Sequence, residues 1–399
     1  MDNSGTESAV YLDYNATAPL RPEALAAMTQ ALAAVGNASS VHQPGREAAA
    51  SVERARDQVA LLLGCRPGEI TFTSGATEAN NIALRSGLSR CAPIVISAVE
   101  HPAVAEAAEV IAADCGAALR VVSVDAGGLL DMEELRAALV GAPSLVSVMA
   151  ANNETGVLCD LATVSKLAHD AGALVHTDAT QLVGRLPVDV GELDVDFLTL
   201  SAHKFGGPQG VGAIYARRGL PVRPLAFGGS HERGRRPGTL NVAGIVGLGA
   251  AAAAARSQLS DESTRIGVLR DRFETALVST IEKVRRNGRV DRRLPGVSSL
   301  TFLGAPADAV LAAMPLVAAS EGSACAAGAP EPSHVLTAMG LSREDADCTI
   351  RFSMGHATTD DDVTRALDYI ARAVNRVRTV MGIDPGSLPN PEPAERISE

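Results

Sequence analysis

Between about residues 55 and 215, short β-branched runs alternate with Ala-rich stretches of helical period. That alternation predicts a mainly parallel sheet flanked by helices. The runs predicted as strands include 70–73, 94–97, 145–150, 174–177, 197–200 and 211–215. Farther on, Ile266, Leu269, Phe273, Leu277 and Ile281 recur at spacings of 3, 4, 4 and 4, the apolar face of a helix that bridges to a second folded unit. The longest apolar run, 242–255, is 14 residues of mostly Gly and Ala, too short to cross a bilayer, and predicts a buried helix. A chain of 399 residues exceeds one usual core. The expected layout is a large domain over 14–256, a small domain built from 1–13 and 257–383, and a tail over 384–399 whose four prolines prevent regular structure.

Polar residues cluster just after the predicted strands. Thr73-Ser74-Gly75-Ala76-Thr77-Glu78 follows the first, Glu100-His101 the second and Asn152-Asn153-Glu154 the third. Asp178-Ala179-Thr180-Gln181 and Ser201-Ala202-His203-Lys204 follow the next two. Open α/β sheets bind ligands at the carboxyl ends of their strands, so five such clusters imply one shared pocket. Ser74 to Thr77 opens an Ala-rich helix and can cradle a phosphate on backbone N–H groups and hydroxyls; taken alone it reads equally as an ordinary helix cap.

Lys204 ends a buried strand and is followed by a Gly/Pro turn. Desolvation there favours the neutral amine that forms an imine, whereas most lysines lie on the surface. Asp178, 26 residues earlier, ends its own strand, where a buried carboxylate needs a cationic partner. A protonated pyridine nitrogen is such a partner, and a lysine with an aspartate is how proteins operate pyridoxal phosphate.

The net charge of −11 and a pI near 5.3 argue against a broad nucleic-acid surface, and no direct nucleic-acid binding is expected. Arg233, Arg235 and Arg236 form a small basic patch that reads as a solvated loop. No basic, apolar leader opens the chain, so a cytoplasmic location without membrane attachment is expected. The six cysteines show neither Cys-x-x-Cys pairs nor zinc-type His spacing, so no metal is expected. Cys325, in Gly322-Ser323-Ala324-Cys325-Ala326-Ala327-Gly328, differs from the other five because small residues and glycine flank its thiol.

The stretch Asp196 to Ile214 resembles the lysine signature of class V aminotransferases. Several further motifs resemble cysteine desulfurases of the NifS/IscS-like group. They include Tyr11-Leu12-Asp13-Tyr14-Asn15-Ala16-Thr17, His176-Thr177-Asp178-Ala179-Thr180-Gln181, His231-Glu232-Arg233-Gly234, Gly238-Thr239 and the Cys325 segment followed by Pro332-Ser333-His334. They stand in family order from about residue 10 to 356.

The resemblance implies a fold type I PLP-dependent transferase, with a mainly parallel seven-stranded sheet in the large domain and a smaller α+β domain. It implies removal of sulfur from L-cysteine to give L-alanine and a persulfide on Cys325, passed to an acceptor protein for iron–sulfur assembly or for thio-modification of tRNA or DNA. Lys204 would carry the cofactor, Asp178 face its pyridine nitrogen, His101 stack on the ring and help move the proton, and Gln181 meet the phenolic oxygen. Ala76, Thr77, Ser201 and His203 would hold the phosphate, and Thr239 would reach the phosphate of the other subunit in a homodimer. Asn153 and Arg351 would receive the substrate carboxylate, although an arginine at a strand end serves equally as a structural ion pair. Glu321, where relatives carry a small residue, either raises the Cys325 pKa or points to solvent. A class V transaminase or lyase without sulfur relay, and a non-catalytic sulfur-transfer scaffold, are the competing readings.

Overall fold

The computed structural model describes residues 8–89, 92–321 and 332–390. Thirteen strands are present among them: β1 (Val10–Tyr11), β2 (Ile70–Thr73), β3 (Ile94–Ser97), β4 (Leu119–Val122), β5 (Leu145–Ser147), β6 (Leu174–Asp178), β7 (Phe197–Ser201), β8 (Gly212–Ala216), β9 (Val284–Arg286), β10 (Val297–Phe302), β11 (Val317–Ala318), β12 (Ser320–Glu321) and β13 (Thr349–Ser353). Seven of them form one sheet in the order β2-β8-β7-β6-β5-β3-β4. Every pairing from β7 to β4 is parallel, and only β8 runs against its neighbours. The strands β2, β3, β5, β7 and β8 are buried at every position, as in a sheet covered on both faces.

A second sheet, β12-β13-β10-β9, is wholly antiparallel, and β1 pairs in parallel with β11 beside it. This is the mixed architecture, a mainly parallel seven-stranded sheet beside a smaller α+β part, that the resemblance implies. Its core gathers Val10, Leu12, Phe273, Phe302, Phe352 and Val374, with Phe352 in edge contact with both other phenylalanines.

One helix, Val242–Thr280, serves both cores. Ile245, Leu248, Ala251, Ala252 and Ala255 pack under the large sheet, while Ile266, Leu269, Phe273 and Leu277 pack under the small one. The sequence reading splits it into an apolar run and a periodic stretch; the chain is helical without interruption across both. By length and composition this helix is apolar enough to cross a membrane, but half of its apolar window is buried inside the protein. Past residue 384, where only irregular chain is expected, Pro385–Ser387 forms a 3₁₀ turn, and Leu388 packs beside Gly304. Residues 391–399 lie outside the described residues.

Candidate active site

The carboxyl ends of β2, β3, β5, β6 and β7 open on one cavity of about 440 Å³. Ala76, Thr77, His101, Asn153, Asp178, Gln181, Ser201, His203 and Lys204 all line it. Parallel strands bring this about, because each loop that leaves a carboxyl end emerges on the same side of the sheet. Thr239 does not line the cavity and is exposed. Arg351 lies just behind Asn153, and Cys325 lies outside the described residues.

The helix Ala76–Gly87 starts at the cavity, so its first N–H groups face an anion there. Close packing of backbone permits this: a Cβ on Gly212 of β8 would stand 2.5 Å from Leu200 O and 2.7 Å from Gly75 Cα. Asp178 is 6% exposed and takes two hydrogen bonds, from Asn80 Nδ2 to Oδ2 (2.7 Å) and from Thr180 N to Oδ1 (2.9 Å). Both donors fix the orientation of the side chain. Lys204 leaves a short 3₁₀ turn, and its Nζ donates to Asn15 O (2.6 Å) and Ala16 O (2.9 Å).

The histidines are held neutral. His101 Nδ1 accepts from Ala103 N (3.0 Å), which leaves the proton on Nε2. Burial lowers its pKa; Asp178 opposes that, while Lys204 and His334 reinforce it. His203 is pushed down to about 4 by burial and then by Lys204 and Arg185, with Nδ1 3.2 Å from Thr17 Oγ1. Each therefore presents an N–H rather than a full cation at neutral pH.

Arg351 is buried, donating to Asp13 Oδ1 (2.9 Å) and to Asn153 O (3.1 Å). The structural ion pair that the sequence leaves open is thus present. Its Nε has no partner among the described residues and remains as a donor. Residues on either side of 322–331 are tied to the same region. Ser320 Oγ donates to Asp13 Oδ2 (2.8 Å), Ser333 Oγ donates to Glu154, and His334 Nε2 lies 2.9 Å from Glu100 O. Glu321 pairs with Ile350 in β13, and burial, then the Asp308 and Asp347 carboxylates, raise its pKa.

A family model for class V aminotransferases matches residues 10–366. The chain belongs to the class V aminotransferase family. It is 43% identical over 378 residues to a cysteine desulfurase of Gluconacetobacter diazotrophicus, covering 93% of this chain and 94% of that protein. Among solved structures, a NifS-like protein superposes with a TM-score of 0.85 at 34% identity, covering 92% of this chain and all of that one. SspA in complex with cysteine superposes with a TM-score of 0.76 at 30% identity, covering 86% of this chain and 98% of that one.

Enzymes of the class V aminotransferase family work with pyridoxal 5'-phosphate, and the cavity suits it. The helix N-terminus and hydroxyls would meet its phosphate, and the hydrogen-bonded Asp178 carboxylate would face a protonated ring nitrogen. Buried Asn153 Oδ1, Thr180 Oγ1 and Gln181 Oε1 have no partner among the described residues, so the wall holds polar atoms that a polar ligand satisfies. Gln181 Nε2 donates one N–H to Asn15 O (3.1 Å) and keeps its second N–H as a donor for a phenolate oxygen.

Three contributors escape the sequence reading. Asn80 is fully buried and fixes one oxygen of Asp178; its one signal is its place four residues after Ala76, on the same helix face. Arg185 donates to Tyr14 O (3.1 Å), Lys204 O (3.3 Å) and the Asn15 side chain, and burial, reinforced by Arg351, pushes it down to about 9. Asn15 sits in a quoted motif without any role assigned.

The remaining sequence features are structural. Burial pushes the Cys65 and Cys159 thiols up to about 12, which makes them poor nucleophiles. Arg236 pairs with Glu78, and Arg233 and Arg235 donate to Gly68 O. Among the described residues no His, Cys, Asp and Glu cluster is arranged to hold a metal ion.

Proposed function

We propose that this chain is a PLP-dependent cysteine desulfurase that converts L-cysteine to L-alanine and leaves the sulfur as a persulfide on Cys325. The observation that carries the reading is the meeting of Lys204, Asp178 and His101 in one cavity, with Arg351 and Asn153 at its side. The cofactor, when bound, supplies an electron sink that makes the substrate Cα proton acidic. Lys204 holds the cofactor and, once the substrate amine has taken its place, accepts that proton. Asp178 keeps the ring nitrogen protonated, with Asn80 and Thr180 preventing the carboxylate from turning away. His101 offers its Nε2 proton. Arg351 Nε and Asn153 receive the substrate carboxylate. The Cys325 thiolate then attacks the substrate sulfur: an S–S bond forms, the Cβ–S bond breaks, and its electron pair stays with the carbon fragment, which takes up a proton to become alanine.

A homodimer belongs to this reading, with Thr239 reaching the partner's phosphate. Its exposure in the single chain supports that role, as does the exposure of Val35, Val41 and Phe227. The next carrier of the sulfur is a protein, serving iron–sulfur assembly in the first instance and tRNA or DNA thio-modification otherwise. Cys65, Cys159 and Cys348 are free thiols, which supports a reducing, cytoplasmic setting.

The test is Cys325→Ser in the loaded enzyme. It should keep the visible absorbance of the cofactor and lose alanine formation from L-cysteine; undiminished turnover would instead support a transaminase or lyase. Lys204→Ala should lose the chromophore, and a colourless wild-type protein that ignores cysteine would be the scaffold of the competing reading.

A further inference from the structure

Asn15 lies in the segment between β1 and the first helix and is 1% exposed. Each of its polar atoms is engaged. Its N donates to Ser353 Oγ on β13 (2.9 Å), and its Nδ2 donates to Asn153 O after β5 (2.8 Å). Its Oδ1 accepts from Arg185, and its main-chain O accepts from Gln181 Nε2 (3.1 Å) and Lys204 Nζ (2.6 Å). Asn153 O also accepts from Arg351 NH1 (3.1 Å), so an unbroken path runs from Lys204 through Asn15 and Asn153 to Arg351. A carboxamide is required for this. One end must donate to a carbonyl while the other accepts from a guanidinium, which neither an aspartate nor a hydroxyl of serine length does at once.

We propose that Asn15 is a positioning residue that sets the separation between the Lys204 amine and the Asn153–Arg351 end of the cavity. The inference rests on the desulfurase reading for the roles of those three residues. The main-chain oxygen of Asn15 marks where the lysine is held, and its side chain marks where Asn153 is held. The two are a few bonds apart in one rigid unit. Because the unit is buried, removing the side chain leaves Asn153 O short of one donor and Arg185 short of one acceptor, and both must move to recover partners.

The test uses wild-type, Asn15→Ala and Asn15→Asp proteins loaded with cofactor. Asn15→Asp keeps an acceptor for Arg185 and sets a carboxylate oxygen against Asn153 O where the donor stood. Binding of L-alanine is followed by titration of the visible absorbance, alongside KM and kcat for L-cysteine and the melting temperature. The expected result is a folded protein with retained cofactor absorbance and a melting temperature lowered by no more than several degrees in both variants, with L-alanine binding weakened and KM raised by about tenfold or more, and kcat changed less. Wild-type L-alanine binding in the variants overturns the proposal. So does failure of both variants to fold or to take up cofactor, since that makes Asn15 a residue of the fold alone. A wild-type protein that binds L-alanine but forms none from L-cysteine sinks the desulfurase reading and leaves this comparison intact.

Discussion

Glu100 is 1% exposed, and one of its oxygens accepts from both Ser97 Oγ (2.6 Å) and Met149 N (2.8 Å). Burial pushes its carboxyl up to about 8, with those two bonds opposing and the Asp178 charge adding to the rise. Glu154 is pushed up to about 7 by burial, opposed by Ser333 and Arg351. Both stay protonated in the fold over a range where the unfolded chain, with carboxyls near about 4.3, has released the proton. The folded state binds more protons there, so stability falls as pH rises from about 4.5 through about 8. Glu100→Gln should flatten part of that fall. Its melting temperature should match the wild type near pH 5 and exceed it by a few degrees at pH 8; parallel melting curves across that range would contradict the assignment. Single side chains of this kind are legible only when sequence places them at a strand end. Lys204, Asp178 and His101 are. Asn80, Arg185 and Asn15 are not, because their partners stand 98, 19 and 338 positions away and only the folded chain joins them.

The packing of β8 against the loop after β2 belongs to the next level of organisation. β8 is the one antiparallel member of the large sheet, and its first residue, Gly212, lets β7 and the Gly75 backbone close on each other. Gly212→Ala puts a methyl group into three backbone contacts below 3.0 Å, and such overpacking costs about 1–3 kcal/mol. The displaced atoms are those of the phosphate-facing loop, so the variant should bind cofactor about tenfold or more weakly while far-ultraviolet circular dichroism stays unchanged. Undiminished affinity would show that the loop adapts. Sequence pattern locates β2, β3, β6, β7 and β8 to within a residue or so, because strands buried on both faces read as apolar runs. It reaches three residues too far on β5, where 148–150 leave the regular ladder. The reading names no strand at β4, whose Arg120 and exposed Val121 interrupt the run at the sheet edge. The long helix is read in two pieces because its two halves bury their faces against different cores, so no single apolar phase runs through it.

Across the whole molecule, the same helix is tied to the cavity side by a buried ion pair. Glu274 accepts from Arg293 NH1 and NH2, each at 2.6 Å, with both side chains 3% exposed. Arg293 bridges to Val157, three residues after Glu154, and Leu158 N donates to Arg292 O. Removing one partner strands a buried charge and costs about 3–5 kcal/mol. Glu274→Ala should therefore lower the melting temperature by several degrees, and Glu274→Ala with Arg293→Met should recover much of that loss; a double variant no better than the single one would mean that the pair is not what joins the parts. The α/β class with a mainly parallel sheet is visible in the sequence because it depends on local periodicity. The sequence reading groups 1–13 with 257–383, but the particular contact of Asn15 with Ser353 on β13 is not legible, since no local pattern encodes it.

That closure sets a timetable. Asn15 leaves the ribosome 338 residues ahead of Ser353, which fixes its main chain. β1 likewise waits for β11, and Asp13 for Arg351. The large sheet has all its strands by residue 216 and can form while synthesis continues. The cradle around Lys204 has to wait until β13 has been made, so vitamin capture in its final geometry comes after the large sheet is complete and does not accompany its formation.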